Sequence, residues 1–455
     1  MPGHLSTLKN GDEGEPEDLE SSVPRPGLVL ISSSGRPCFR PMLLEDGQLL
    51  IGRGDGSSAM PLDARMSRRH ARVHYTGAEF HVEDLGSQNG TFLDGKPVKP
   101  MVASGQARVL RTADSLFLLC PDLRPYLRGS IKQQGGRVEG PILQAVLARI
   151  AQVASFSSTL HLTGESGSGK EGAAQAFHHA SSHASGPFVP VNCAAIPQGV
   201  AERVLFGARR GAYSGAHADA DGYVQTAHGG TLFLDEIAEL EPAVQAKLLR
   251  VLETKEVCQL GSTRSRSVQI NLCSATNKDL RSEVSAGRFR EDLYFRLSRP
   301  SIELPALRRR LEEIPWLIEA ELAGLPGALL ASAVFVESCL LRFWPGNIRE
   351  FLTEVRTAAH LALSDKKAVL EARYLSPLAG REFSAEPPAE HPLVCANGGA
   401  SLSRSLLERA LQRTGGNISA AARLLNMHRT QFKRNLERLG IDAASLAGGG
   451  DGDGE

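Results

Sequence analysis

Residues 159–171, TLHLTGESGSGKE, constrain this chain more than any other stretch. A short apolar run ends abruptly in three glycines spaced within six residues, followed by a lysine. Glycines let a tight loop turn its backbone N–H groups toward one point, and a helix starting there adds partial positive charge. Gly164, Gly169 and Lys170 match the G-x-x-x-x-G-K spacing of a phosphate-binding loop placed between strand and helix. The expected nucleotide contacts are Gly164, Glu165, Ser166, Gly167, Ser168, Gly169, Lys170 and Glu171, with Lys170 charged against the β and γ phosphates. Glu171 stands where a Ser or Thr is usual.

Two further apolar runs end in polar pairs. GGTLFLDEI closes on Asp235-Glu236, and VQINLCSATNKDL closes on Thr276-Asn277. Two acids ending a buried strand are costly without partners. Asp235 is suited to hold Mg²⁺ and Glu236 to polarise an attacking water. Asn277 is placed to sense the γ phosphate. These segments, with FVPVNC, read as buried parallel strands alternating with helices, so a nucleoside triphosphatase with an α/β fold is expected before any family is considered.

Both flanks differ from this centre. Residues 1–26 carry six acidic and two basic groups among Pro and Gly and are expected to be disordered. Residues 27–122 contain short strand-like runs between turns such as GSQNG and LDGKP, predicting an antiparallel sandwich. Residues 401–445 read as three helices with eight basic and three acidic residues, a local excess suited to phosphate backbones. The whole chain balances 51 basic against 51 acidic residues, so net charge names no partner. Seven scattered cysteines without a CxxC, no apolar run of membrane-spanning length and no signal-peptide core point to a reduced, cytoplasmic protein with no membrane partner.

The run GESGSGKE, FVPVNCAAIP, LFGARRGAYSGA, GGTLFLDEI, SATNKDL, GRFREDLYFRL, LPALRRRLEEIP, WPGNIRE resembles the AAA+ domain of bacterial enhancer-binding proteins, which activate sigma-54 RNA polymerase. That family commonly has Glu after the loop lysine. The resemblance implies ATP and Mg²⁺ as ligands. It assigns Asn192 as a restraint on the catalytic Glu236, Arg290 and Arg296 as arginine fingers into a neighbouring subunit, and Arg349 as the sensor arginine of a helical lid. It also implies a ring, commonly a hexamer. Gly211, Ala212, Tyr213, Ser214, Gly215 and Ala216 occupy the place of the family's GAFTGA loop, which contacts sigma-54. Here Tyr replaces Phe and Ser replaces Thr, behind Arg209-Arg210.

The C-terminal segment resembles the Fis-type helix-turn-helix of the same family, which binds double-stranded enhancer DNA as a dimer. Its third helix presents His428, Arg429, Thr430, Gln431, Lys433 and Arg434 for a major groove. The N-terminal segment, with LLIGRG, SRRH and GSQNGTF, resembles the forkhead-associated (FHA) domain. Arg53, Ser67, Arg68 and Asn89 fall on its phosphothreonine-binding positions, and Gly52 and His70 on loop-shaping ones. A phosphothreonine protein or peptide is therefore an expected partner. No acidic strand-end cluster of the receiver-domain kind precedes residue 122.

The expected organisation is multidomain: a tail at 1–26, an all-β FHA sandwich at 27–122, a linker at 123–137, an α/β AAA+ ATPase with helical lid at 138–378, a linker at 379–400, an all-α helix-turn-helix at 401–445 and a tail at 446–455. The leading functional expectation is an ATP-hydrolysing activator of sigma-54 promoters regulated through phosphothreonine. The alternatives are an AAA+ remodeller that does not use sigma-54, and a phosphopeptide scaffold with an idle ATPase. The glycine loop argues against the first, and intact Lys170, Asp235, Glu236, Arg290 and Arg296 argue against the second.

Overall fold

Turn-separated runs of apolar residues build the N-terminal sandwich: β1 (Gly27–Ser33), β2 (Arg36–Leu43), β3 (Gln48–Ile51), β4 (Ala71–Tyr75), β5 (Phe80–Asp84), β6 (Thr91–Leu93), β7 (Lys96–Pro97), β8 (Met101–Ser104), β9 (Val109–Thr112) and β10 (Ser115–Cys120). One sheet has the order β2-β1-β10-β9-β6-β7, the other β3-β4-β5-β8. Leu28, Leu30, Leu49, Val73, Phe80, Val82 and Phe117 fill the space between them. In the computed structural model, residues 23–54, 63–134, 136–215, 217–326 and 328–383 are described, together with Leu407, Leu411, Ile418, Ala422, Thr430, Phe432, Lys433, Arg434 and Leu436.

The central domain follows as α1 (Arg124–Leu127), β11 (Lys132–Gln134), β12 (Arg137–Glu139), α2 (Pro141–Ala154), β13 (Thr159–Thr163), α3 (Lys170–Ala180), β14 (Phe188–Asn192), α4 (Ala201–Phe206), α5 (Tyr223–Thr226), β15 (Thr231–Asp235), α6 (Pro242–Thr254), β16 (Glu256–Cys258), β17 (Ser265–Ser267), β18 (Asn271–Thr276), α7 (Leu280–Ser285), α8 (Glu291–Leu297) and β19 (Ser301–Glu303). Its sheet runs β14-β15-β18-β13-β19, parallel at every pairing. The phosphate-loop strand β13 is thus interior, and the polar ends of β15 and β18 open on the same carboxyl edge, where open α/β sheets bind ligands. β15 and β18, interior to the sheet, are buried almost end to end, as parallel strands covered on both faces require, while the edge strand β14 alternates.

The lid comprises α9 (Ile314–Ala323), α10 (Ala333–Leu340) and α11 (Asn347–Ser364). Trp344 and Phe351, both fully buried, meet edge-to-face at its centre.

Two expected linkers are corrected. Residues 123–137 carry α1 and the β11–β12 hairpin, and Leu123 is fully buried. The physical reason is apolar content: Leu123, Tyr126, Leu127 and Ile131 join the apolar core that sandwich and lid share, with Tyr126 against Phe39 of β2. Likewise, Ala379 is buried and Gly380 bonds to Phe343, Trp344 and Glu350, so the lid runs past 378.

Nor do the first two domains stand apart. β10 is buried along its whole length, although an antiparallel strand with one wet face would alternate. Its second face, with Val29, Ile31 and Val109, forms one apolar core with Leu322, Leu329, Phe335, Val336 and Leu340 of the lid region. Arg111 of β9 pairs with Glu337 of α10 at 2.7 Å, and Arg111 also lies 3.8 Å over the Phe92 ring.

The chain divides at residue 383 into a second unit. Within it Leu407, Leu411, Ala422, Phe432 and Leu436 are helical and buried, and Thr430, Lys433 and Arg434 are helical and exposed. His428, Arg429 and Gln431 lie outside the described residues.

Candidate active site

The loop after β13 folds as its glycines predict. Gly167 and Gly169 take φ of +74° and +104°, and α3 begins at Lys170. A Cβ on Gly167 would sit 2.3 Å from the Gly346 carbonyl, so only glycine permits this approach between loop and lid. Ile348 N–H donates to the Gly167 carbonyl at 3.2 Å. Loop and lid together enclose a cavity of about 780 Å³. Leu143, Leu147, Leu317, Ile348 and Leu352 line its apolar part; Lys170, Asn192, Asp235, Glu236, Arg310 and Arg349 line its polar part.

Lys170 is almost wholly buried, donates to the carbonyls of Gly164 (3.0 Å) and Glu165 (3.3 Å), and lies 3.8 Å from Glu236. Burial raises the Asp235 carboxyl above its ordinary range; Lys170 and Arg349 pull it down and Glu236 pushes it up. An acid so placed, near Lys170 and Arg349 and open to the cavity, would suit a Mg²⁺ accompanying a bound nucleotide. Glu236 has φ of +52°, a conformation costly for a non-glycine residue and concentrated at functional sites. Its Oε2 accepts from Asn277 N–H at 3.2 Å and Thr276 Oγ1 at 3.4 Å.

The structure therefore distributes the expected roles differently in one respect. Asn192 is in register with Asp235 on the adjacent strand and lines the cavity, but its Oδ1 accepts from Ala194 N–H at 3.0 Å. The donors to Glu236 come from β18, and Asn277 contributes its backbone rather than its amide. Arg349 reaches Ser166 Oγ at 3.3 Å. Arg290 pairs with Asp292 and Arg296 contacts the Leu252 carbonyl; both are exposed and neither lines this chain's own cavity.

Several site residues escaped the sequence reading. Arg308 forks onto Glu165, lowering its carboxyl pKa, and Asn347 donates to both Glu165 Oε2 and the Ser166 carbonyl. Both lie within the quoted LPALRRRLEEIP and WPGNIRE motifs, so the motifs were visible but not the targets.

The glycine loop stands on a tied neck. Ala208 exchanges backbone bonds with Ala220, Leu260 donates to Gly207, and Arg209 N–H donates to Leu260. Arg209 pairs with Asp219, which also accepts from Arg210 N–H. Gly211 and Gly215 have positive φ, Ser214 is exposed, and Arg203 lies 4.8 Å over the half-exposed Tyr213 ring. Ala216 lies outside the described residues.

On the sandwich rim, Arg53 N–H donates to the Ser67 carbonyl and Gly54 N–H to the Arg68 carbonyl. Ser67 Oγ accepts from Gln88 N–H, next to Asn89. Buried His70 bridges Ser67 N and the Gly90 carbonyl, a loop-shaping role. Arg53, Ser67, Arg68 and Asn89 thus share one rim. Arg65, unforeseen, contacts Asn89 at two points and pairs with Asp114.

Comparison with known proteins identifies three domains. Residues 138–303 match the Sigma-54 interaction domain, 49–116 the FHA domain and 400–439 the Bacterial regulatory protein, Fis family. The hydrogenase transcriptional regulatory protein HoxA of Bradyrhizobium diazoefficiens is 40% identical over 66% of this chain and 63% of its own. The transcriptional regulatory protein ZraR of Salmonella typhi is 38% identical over 68% of this chain and 70% of its own. This chain therefore spans roughly two thirds of these relatives' lengths. A crystal structure of NtrX from Brucella abortus, 31% identical, superposes with a TM-score of 0.50 over 66% of this chain and 68% of that one. With that ATPase architecture, the glycine loop and three matching domain models, the chain belongs to the sigma-54-dependent transcriptional regulators, as a member carrying an FHA domain and a Fis-type helix-turn-helix.

Proposed function

We propose that this protein hydrolyses ATP to remodel sigma-54 RNA polymerase at promoters, while bound to upstream DNA, and that phosphothreonine recognition by its FHA domain regulates it. The observation that carries the reading is the exposed Tyr213-Ser214 tip on a neck anchored to the same domain that holds Lys170, Asp235 and Glu236.

In this reading the apolar end of the cavity takes the base and Lys170 with the loop amides takes the phosphates. Mg²⁺ at Asp235 supplies charge neutralisation at the phosphate oxygens. Glu236 accepts a proton as water attacks the γ phosphorus and the bond to the ADP oxygen breaks. The exposure of Arg290 and Arg296 supports their service to a neighbouring subunit in a ring, where a finger in trans neutralises the transferring phosphoryl. The movement of the loop then works on sigma-54. Exposed Thr430, Lys433 and Arg434 support DNA contact by the last helix.

The regulatory part is supported by continuity. Asn89 on the rim contacts Arg65, Arg65 pairs with Asp114 of the β9–β10 turn, and Arg111 of the same hairpin pairs with Glu337 of the lid. A short chain of contacts, exposed at Arg65 and Asp114 and buried at Arg111 and Glu337, thus runs from the rim to the lid.

The test is open-complex formation with purified sigma-54 polymerase and ATP. Wild type should open a sigma-54 promoter, and Glu236→Gln and Ser214→Ala should open little or none. A wild type that hydrolyses ATP and opens no promoter would sink this reading in favour of a remodeller with another target.

A further inference from the structure

Segment 307–315, LRRRLEEIP, places three ionisable side chains entirely out of solvent. Arg310, Glu312 and Glu313 are each 0% exposed. Charges buried this deeply are costly unless paired and bonded, and neither ATP hydrolysis nor loop movement as described above employs them.

Their partners are informative. Arg310 Nη2 donates to the carbonyl of Ser168 at 3.0 Å, inside the phosphate loop. Arg310 Nη1 lies 3.3 Å from Glu313 Oε2, and Glu313 Oε1 accepts from Gly140 N–H at 2.8 Å. Gly140 follows β12, whose Arg137, Val138 and Glu139 line the nucleotide cavity, as Arg310 itself does. A Cβ on Gly140 would lie 2.5 Å from Glu312 Oε1, so this strap is pressed against the two glutamates. The cluster therefore joins two walls of one cavity, at residues 140 and 168, through a residue just ahead of α9.

We infer that Arg310 is a positioning residue for the nucleotide, fixing the phosphate loop against the base-side strap through Ser168 on one side and Glu313–Gly140 on the other. In a trans peptide the N–H points opposite to the carbonyl. Holding the Ser168 carbonyl on Arg310 therefore sets the direction of the Gly169 amide, a cavity-lining group. A planar guanidinium reaches the Ser168 carbonyl and the Glu313 carboxylate at once in a fixed geometry, whereas a lysine is a compact point charge on a flexible stem. Arg310 Nε and Nη1 make no hydrogen bond among the described residues, so the side chain also keeps donors in reserve beside the cavity.

The inference rests on the ATP-binding reading, and the experiment separates the two. Full-length wild type, Arg310→Lys, Arg310→Met and Glu313→Gln are compared for ATP KM, kcat and competition by inorganic tripolyphosphate, with thermal melting as the control for folding. Both Arg310 variants should raise the KM for ATP by about tenfold or more with kcat changed far less, as loss of a charge-assisted bond in ground-state binding requires. Tripolyphosphate, which has no base to register against the strap, should lose less affinity than ATP. Glu313→Gln keeps the acceptor for Gly140 and should show a smaller KM rise. A purely structural role would lower melting temperature and active fraction while leaving KM in place. If Arg310→Met does not fold, Arg310→Lys decides. Wild-type KM in a folded Arg310→Lys overturns the inference, whereas a wild type that binds no ATP overturns the ATPase reading instead.

Discussion

Arg111 and Glu337 lie 226 residues apart in the chain and meet at 2.7 Å, with side-chain exposures of only 11% and 4%. One belongs to the FHA sandwich and the other to the ATPase lid. Removing one partner of a buried pair leaves an uncompensated charge. Arg111→Met should therefore lower stability by about 3–5 kcal/mol, and Arg111→Met with Glu337→Met should recover most of the loss. Urea unfolding of the full chain measures both; additive losses in the double variant would contradict the pairing.

Glu236→Gln should bind ATP normally and hydrolyse it about 10²–10⁴-fold more slowly, the range lost with a general base. Phosphate release together with nucleotide titration separates the two effects. A comparable loss of affinity would mean that Glu236 chiefly shapes the site through Thr276 and Asn277.

On the rim, Arg53→Ala in the full chain should weaken binding of a phosphothreonine peptide by about tenfold or more, since a bond to a charged acceptor is lost. The unphosphorylated peptide should not compete. If the rim and the lid communicate, a non-hydrolysable ATP analogue should alter phosphopeptide affinity, and the peptide should alter analogue affinity by the same factor. Equal binding by wild type and Arg53→Ala would remove the rim assignment.

Ser214 is exposed at the tip of the glycine loop and lies away from the nucleotide cavity. Ser214→Thr restores the methyl group that the resembled family carries there, so open-complex yield should rise while the ATPase rate stays level. A fall in yield would show that the loop of this chain is matched to serine.

Glu312 makes stability depend on pH with a definite sign. Burial foremost, and Glu313 next, raise its carboxyl from 4.5 to about 8. Between those values the folded state holds a proton that the unfolded chain releases, so unfolding is favoured as pH rises across that window. Glu312→Gln, neutral at every pH, should melt above wild type at pH 8 and approach it toward pH 4. A difference that widens on acidification would refute the assignment.

Local chemistry made much of this molecule legible before its fold. The phosphate loop and Asp235-Glu236 sit in short motifs whose residue types suggest their roles, while Arg53, Ser67, Arg68 and Asn89 are assigned by resemblance to the FHA domain; the structure brings each set together in one place. Partners chosen by tertiary packing were not legible. Nothing around Asn192 indicates that its amide caps the following turn while Thr276 and Asn277 engage Glu236. Arg308 on Glu165 and Arg310 on Ser168 pair across more than 140 residues. The apolar run SLFLLC did carry a sign: an antiparallel strand without polar alternation has something packed on both faces. It was the trace of the lid against the sandwich.

That packing bears on how such a protein can be taken apart or recombined. Cut free after residue 122, the sandwich would expose Val29, Ile31, Val109, Leu116 and Leu118 to water, and the lid would lose the cover over Phe335 and Val336. The FHA sandwich is therefore not a cassette. Replacing it with another would require redrawing the lid surface in the same step, because the two are covered by one apolar core.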